Sequence, residues 1–447
     1  MNIKEAINAK VTENGDLAFK NTSTDNLINL LFMAEYFSKH LDEAHIGDTE
    51  KEALFAMFLR DPRFGLGYRD LGRKLMHEAG VSPEAVVKAG RFDDLYLGSD
   101  NINPANIAYL KDQIEAGNEL AKKWAPRYSS KHLMIAREFA RLWGMNKQEY
   151  GHFVKCNTTE NKLSRHQTEQ INFEHVPSLA LIKYYKRFQN GEDTKLRFAQ
   201  YLEGVKKGEK KMNVSTTTVY DIYKNRDQID ADLFFDKLEK IKINCMPIID
   251  TSGSMISNDN IGKALSIGHY LAKCSTYMPG HVLSFSSNPC LLKLGVENEY
   301  TVTDHWRGVV TRHKQDLSRY DSQYMRELQS MVTGDCSNTD FGAVMELLKK
   351  VDELPEYLVI LTDCEFDQGS KQQKDELYRI WEQRGYKTKV VWWSFNERNK
   401  TAPEMDDHGN VFMSGYNPML LKYLEVGFDA TAFLNKLLDE YKKAIEA

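Results

Sequence analysis

The reading of this chain turns on residues Ile243–Asp259, INCMPIIDTSGSMISND. An apolar run ends on Asp250, and Thr-Ser-Gly-Ser follows with little side-chain bulk. Ser, Gly and Asp form turns for local backbone reasons, so one reading is a turn that closes a strand. The other is a loop that points oxygens from alternate residues at a cation, since Asp250, Ser252 and Ser254 form D-x-S-x-S.

From about residue 240 onward, short apolar runs alternate with helical windows. INCMPIID is followed by NIGKALSIGHYLAKCS, then GHVLSFSS, CLLKLG, FGAVMELLKKV, EYLVILTD, QQKDELYRIWEQRG and KTKVVWWSF. Strand–helix alternation of this kind implies a mainly parallel sheet covered on both faces. Ligands of such sheets sit beyond the carboxyl ends of strands, where the strand order reverses. Asp250 and Asp363 each end an apolar strand at such a place.

From about residue 25 to 240 the chain reads as helices with short breaks. TDNLINLLFMAEYFSKHL, TEKEALFAMFLRD, YRDLGRKLMHEAG, SKHLMIAREFARLWG and TKLRFAQYLEGVKKG carry apolar residues at helical spacing, with Ser, Thr or Asp before and Gly after several of them. Paired helices in succession suggest a helical-repeat array, although the sequence shows no clean period.

With 447 residues, 42% hydrophobic and 28% charged, the chain is long enough for two or three domains. No window approaches the roughly 18 uncharged apolar residues of a membrane span, and MNIKEAINAKVTENGD lacks the apolar centre of a secretory signal. Cys156, Cys245, Cys274, Cys290, Cys336 and Cys364 form no C-x-x-C pair, which implies free thiols and a cytoplasmic setting. The formal net charge of -5 gives no global reason to expect nucleic acid, yet Lys183–Arg226 holds 11 Lys/Arg against 5 Asp/Glu. A phosphate backbone responds to the local patch rather than to the sum.

Further features complete the oxygen constellation. SNTDFG supplies Thr339 just before a helix, and VILTD supplies Asp363. Hard cations take oxygen ligands in near-octahedral geometry and keep several waters, which suits hydroxyls and carboxylates. No histidine or cysteine set accompanies them, so zinc is not expected. Taken singly, each residue also fits a structural role: Thr339 as a helix cap, Asp363 as a solvated strand end. The order and placement of all of them favour a metal site. Phosphoryl-transfer enzymes with a strand-end aspartate want a second one two residues on, where this chain has Ser252. Neither a G-x-x-x-x-G-K loop nor a G-x-S-x-G elbow is found, and FGLGYRDLG lies among helices, so no enzyme is expected.

This arrangement resembles the metal-ion-dependent adhesion site of von Willebrand factor A domains. The resemblance implies Ser252, Ser254 and Thr339 as direct ligands of Mg²⁺ or Mn²⁺, with Asp250 and Asp363 acting mostly through water. It also implies an open coordination position that an acidic side chain of a protein partner can fill.

A helical region followed by such a domain resembles the Ro ribonucleoprotein family, in which a TROVE helical module precedes an A-type domain. A related family of unknown function with the same plan is closer still. FLRDPRFGLGYRDLGRKL, AKKWAPRYSS, RLWGMNKQEYGHFV, INFEHVPSLALIKYYKRF, FAQYLEGVKKGEKKMN, LSFSSNPCLLKL, SNTDFGAVMELL, LTDCEFDQ and VFMSGYNPMLLKYLE carry the likeness. The resemblance implies binding of small structured or misfolded RNA and of single-stranded 3′ ends; DNA is not expected. Single-stranded RNA wants cations interleaved with aromatic faces. VKKGEKKMN offers Lys206, Lys207, Lys210 and Lys211 around Gly208, which reads as a mobile basic loop. KYYKRF offers Lys183, Lys186 and Arg187 beside Tyr184, Tyr185 and Phe188, and KKWAPRY offers Arg127. Aromatic residues at helical spacing are usually core and lysine clusters usually solvated surface, and these readings stay open beside the first. Arg60, Arg63, Arg69 and Arg73 read either as phosphate ligands or as ion-pair partners of Asp61 and Asp70.

The expected architecture is therefore α + α/β. An N-terminal α-helical, HEAT-like repeat module spans 1–240, and a Rossmann-like von Willebrand factor A domain spans 241–447. The expected function is non-catalytic RNA binding. The alternative is a metal-dependent protein–protein adaptor without RNA.

Overall fold

The computed structural model describes residues 9–11, 17–19, 48–61, 69–98, 103–214, 216–285, 288–304, 309–335, 340–363, 371–395, 404–405, 409–414, 421 and 424–427. Thr339, Arg63, Cys336 and Cys364 lie outside these residues. The chain divides into two compact units, one built on Leu30–Thr216 and one on Thr217–Gly427 together with Met1–Asn29. The second unit therefore begins before the strand region. Helix Val219–Asn225 packs on helix Asn260–Cys274, and helix Ala231–Lys237 packs on helix Gln323–Ser330.

The first unit is helical throughout its described residues. Its helices include Asp48–Arg60, Arg69–Glu78, Pro104–Glu115, Leu133–Leu142, Lys147–Phe153, Ser178–Phe188 and Glu192–Lys206. Side chains of Ser82, Asn103, Asn118, Asn146 and Thr158 accept hydrogen bonds from the first-turn amides of the helices they precede. Such caps contribute about 1 kcal/mol each, which matters for helices this short. Phe173, Phe188, Phe198, Tyr185 and Tyr201 form one buried aromatic cluster, with ring centroids of contacting pairs 5.0–6.1 Å apart.

Four arginines had two readings in the sequence, and the structure resolves two of them. Arg60 and Arg73 are buried against the fully buried Asp94: Arg60 Nη2 lies 2.8 Å from Asp94 Oδ2, and Arg73 Nε donates to Asp94 Oδ1. Arg73 also donates to Asp93 Oδ2 at 2.7 Å and lies 3.7 Å from the exposed Asp70. These guanidiniums neutralise interior carboxylates and are not presented to a phosphate.

In the second unit, β1 (Ala9–Val11) and β2 (Leu17–Phe19) form an antiparallel pair. The main sheet holds β3 (Cys245–Asp250), β4 (His281–Phe285), β5 (Cys290–Lys293), β8 (Tyr357–Thr362), β9 (Lys389–Ser394), β10 (Glu404–Met405) and β11 (Val411–Ser414). Between β5 and β8 the chain forms a separate antiparallel hairpin of β6 (Glu299–Asp304) and β7 (Val309–Lys314). The main sheet has the order β10-β11-β9-β8-β3-β4-β5, parallel from β11 to β4 with one antiparallel strand at each edge. The chain leaves β3 toward β4 and later returns to β8 on the other side. β3 is thus the point where the order reverses, with Asp250 as its last residue.

Alternation sets the layers. Met246 and Ile248 of β3, Leu358 and Ile360 of β8 and Trp392 of β9 share one core with Phe341, Val344, Leu348, Leu377 and Trp381 of helices Phe341–Leu348 and Lys371–Gln383. Helix Asn260–Cys274 covers the opposite face, where Gly268 lies over Ile249 and Leu361. Burying an aliphatic side chain contributes roughly 1.5–3 kcal/mol, so this three-layer core dominates the stability of the unit.

Behind the sheet, His269 Nε2 lies 2.7 Å from Glu327 Oε2, and Lys273 and Gln323 donate to Oε1 at 2.9 and 2.8 Å. Burial alone raises the Glu327 pKa, but hydrogen bonds from His269 and Lys273 outweigh it and hold the carboxyl well below the usual range. Burial pushes His269 the other way, toward the neutral ring. Among the described residues Nδ1 has no partner, which fits a ring that carries its proton on Nε2. Both folded pKa values lie below their unfolded ones. The stability they contribute is therefore present above about pH 6.5 and is lost as acid protonates His269 and Glu327. Denaturant titrations should show the difference in stability between the parent and Glu327→Ala shrinking from about pH 6.5 downward, and Glu327→Ala should cost about 2–3 kcal/mol at neutral pH.

Candidate functional site

Asp250 is fully buried at the C-terminal end of β3. Its Oδ1 accepts the Ser252 amide at 2.9 Å, and its Oδ2 accepts Thr362 Oγ1 at 2.7 Å. Burial is the main cause that raises its pKa, to about 6, and the nearby Asp363 carboxylate adds to the rise despite these hydrogen bonds. Asp363 is itself buried, one residue beyond β8. Two carboxylates brought together in a buried corner form a natural seat for a cation.

The loop geometry follows from the residues after Asp250. Thr251 donates both its amide, at 2.9 Å, and its hydroxyl, at 3.1 Å, to the Phe285 carbonyl at the end of β4, which latches the loop to the neighbouring strand. The chain then turns into a 3-10 segment, Gly253–Asp259, anchored by the fully buried Met255. This turn brings Ser252 Oγ and Ser254 Oγ to 3.1 Å from one another. Ligands on adjacent octahedral corners around Mg²⁺, each at about 2.0–2.1 Å, stand about 3 Å apart, so the two hydroxyls fit a cis pair. Thr339 lies outside the described residues. Among the described residues no three His, Cys, Asp or Glu side chains cluster, so a cation here would rest on hydroxyls and two carboxylates. Magnesium or manganese would suit that donor set, and Ser252 and Ser254 are the residues that would hold it, with Asp250 and Asp363 in support.

Sequence reasoning missed Thr362, although it stands beside Asp363 in VILTD. It also missed the buried Asp335, whose Oδ2 accepts Asn288 Nδ2 at 3.1 Å and ties the segment before Thr339 to the segment after β4. Neither carries a spacing signal, because each meets its partner only through sheet topology.

The helical unit places the basic candidates differently from one another. Lys206, Lys207, Lys210 and Lys211 are all exposed. They do not form a free loop but a capped helix end. Gly208, at φ +76°, donates to the Val205 carbonyl, and Glu209 donates to the Gly204 carbonyl at 2.8 Å. That pattern needs a left-handed residue at position 208, which glycine adopts without strain. Tyr201 Oη donates to the Lys211 carbonyl at 3.1 Å, and the Lys211 amide donates to Glu174 Oε2 at 3.2 Å, so the segment beyond the cap is also held.

Lys183, Lys186 and Arg187 are exposed on helix Ser178–Phe188, while Tyr185 and Phe188 are buried. Tyr184 is half-buried, with Lys183 5.3 Å from its ring centre. Arg127 turns inward: its Nη2 reaches the carbonyls of Lys122 and Val154 and Cys156 Sγ at 3.1, 3.3 and 3.1 Å. No described helix is long and apolar enough to cross a membrane, and Cys156, Cys245, Cys274 and Cys290 are free thiols.

Comparison with known proteins gives the following likenesses. Residues 153–244 match a family described as Domain of unknown function (DUF2828), and residues 244–433 match Domain of unknown function (DUF7788). The two matches meet at Asn244, one residue before β3. The uncharacterized protein L728 of Acanthamoeba polyphaga mimivirus is 24% identical, across 77% of this chain and 67% of that one. The crystal structure of the Deinococcus radiodurans RO (RSR) protein aligns over 96% of both chains, at 11% identity and a TM-score of 0.38. A score that low bears on neither fold nor function.

Two measurements check the site. Ser254→Ala should weaken Mn²⁺ binding about tenfold or more in a calorimetric titration. Thr362→Val, which removes the hydroxyl that orients Asp250, should weaken it about tenfold. Unchanged affinity in both variants would detach this corner from any bound ion.

Proposed function

We propose that this chain is a non-catalytic RNA-binding protein, with a TROVE-like helical module that takes RNA and a von Willebrand factor A-type domain that holds Mg²⁺ or Mn²⁺. The observation that carries the RNA reading is the capped helix end at Lys206–Lys211, where four lysine side chains stand exposed on an ordered turn. A held cationic surface loses less conformational entropy on binding phosphates than a disordered one. Lys183, Lys186 and Arg187, exposed around a half-buried tyrosine, extend the same chemistry along a second helix. Arg127 contributes through packing, since its guanidinium is bonded within the unit. The sequence resemblance to Ro proteins supports small structured RNA and single-stranded 3′ ends as the class of ligand.

A second reading is favoured by the loop of Ser252 and Ser254, whose paired hydroxyls suit an ion with an open position. There the chain is an adaptor that captures an acidic side chain of a protein partner through the metal.

Filter binding of an RNA hairpin with a single-stranded 3′ tail, titrated across salt, separates the two. The RNA reading expects tail-dependent binding that resists DNA competition. Charge reversal at Lys206, Lys207, Lys210 and Lys211 should weaken it, and the slope of log affinity against log salt should flatten by about 0.7 for each phosphate no longer neutralised. Asp250→Ala should leave it intact. Absent or indiscriminate binding would remove the RNA reading and leave the adaptor, and binding unaffected by the four reversals would remove these lysines from it.

A further inference from the structure

We infer that Tyr220 is a positioning residue for the cation loop: through Asp259 it straps that loop into the strained shape that pairs the Ser252 and Ser254 hydroxyls. The inference rests on the cation reading above.

The loop ends in an unusual conformation. Asn258 (φ 52°, ψ 26°) and Asp259 (φ 55°, ψ 33°) are both left-handed, one after the other, at the end of the segment Gly253–Asp259 that carries Ser254 and just before helix Asn260–Cys274. Left-handed residues other than glycine are uncommon and costly, and two in succession persist only where the surroundings hold them. Asp259 occupies the N-cap position of the helix but makes no side-chain cap. Its Oδ1 lies against Gly262 in the first turn, and Oδ2 accepts the Tyr220 hydroxyl at 2.7 Å.

Tyr220 belongs to helix Val219–Asn225, which is itself firmly seated. Thr218 and Asp221 close a reciprocal cap at its start. Tyr223, one turn on, presses against the cation-loop helix at Gly262. A Cβ there would fall 2.5 Å from Tyr223 Cε1 and 2.5 Å from Asp259 Oδ1, so only glycine admits both neighbours. Arg226 covers Tyr223 at 4.2 Å, and Tyr220 and Tyr223 stack within 13° of parallel. The hydroxyl of Tyr220 is therefore delivered by a rigid element to the one carboxylate that fixes the left-handed pair. Release of that bond lets residues 258 and 259 relax, and the turn that pairs Ser252 with Ser254 loses its far anchor.

Electron paramagnetic resonance of free Mn²⁺, with the thermal midpoint recorded with and without Mn²⁺, tests this on the full chain. Tyr220→Phe should weaken Mn²⁺ binding about five- to tenfold and shrink the Mn²⁺-induced rise in midpoint. Asn258→Gly alone should stay within about twofold of the parent, because glycine adopts the left-handed region freely. Combined with Tyr220→Phe, it should recover at least half of the lost affinity, a rescue that a general packing role of Tyr220 would not give. Parent-like affinity in Tyr220→Phe, with Asp250→Ala abolishing binding, overturns the strap and leaves the cation site standing. A loss in Tyr220→Phe that Asn258→Gly does not restore overturns it too. Failure of the parent protein to bind Mn²⁺ removes the cation reading, and the strap with it.

Discussion

A carboxylate buried at the end of the central strand is the constraint around which the α/β unit is arranged. Asp250 is flanked by β4 on one side and β8 on the other and has no access to water. Left alone, such a group protonates or destabilises the fold. The chain answers with the Ser252 amide, the Thr362 hydroxyl and a loop latched to the Phe285 carbonyl. Those contacts still leave the carboxyl's pKa raised to about 6, chiefly by burial. On the cation reading proposed above, an ion held by the adjacent hydroxyls would complete the compensation.

The helical unit solves the same problem differently. Asp94 is as deeply buried as Asp250, yet Arg60 forms an ion pair with it, and Arg73 and the Arg91 amide donate hydrogen bonds to it. No charge is left for a ligand there. Cations that face solvent include Lys183, Lys186 and Arg187 of helix Ser178–Phe188 and Lys206, Lys207, Lys210 and Lys211 at and beyond the end of helix Glu192–Lys206.

Much of this is legible in the sequence because it depends on periodicity and punctuation. The apolar runs ending on Asp250 and Asp363 become β3 and β8, and the helical windows after residue 240 become helices Asn260–Cys274, Phe341–Leu348 and Lys371–Gln383. D-x-S-x-S is readable because its residues share one loop. Partnerships made across the fold are not. Nothing local marks Tyr220 as a partner of Asp259, Asn288 as a partner of Asp335, or Arg60 as a partner of Asp94. The hairpin of β6 and β7 alternates visibly in EYTVTD, but it stands apart from the strand–helix rhythm that organises the reading of its neighbours. Lys206–Lys211 reads as loose because lysine and glycine dominate its composition, whereas the cap at Gly208 and the bond from Tyr201 are tertiary and backbone features.

The most direct test of the account is a crystal structure grown in Mn²⁺, with anomalous scattering measured at the manganese edge. The account predicts a single strong peak at the C-terminal end of β3, bonded to Ser252 Oγ and Ser254 Oγ, with Asp250 and Asp363 around it. An ordered loop with no peak, and with the two serine hydroxyls still bonded to each other, would contradict it.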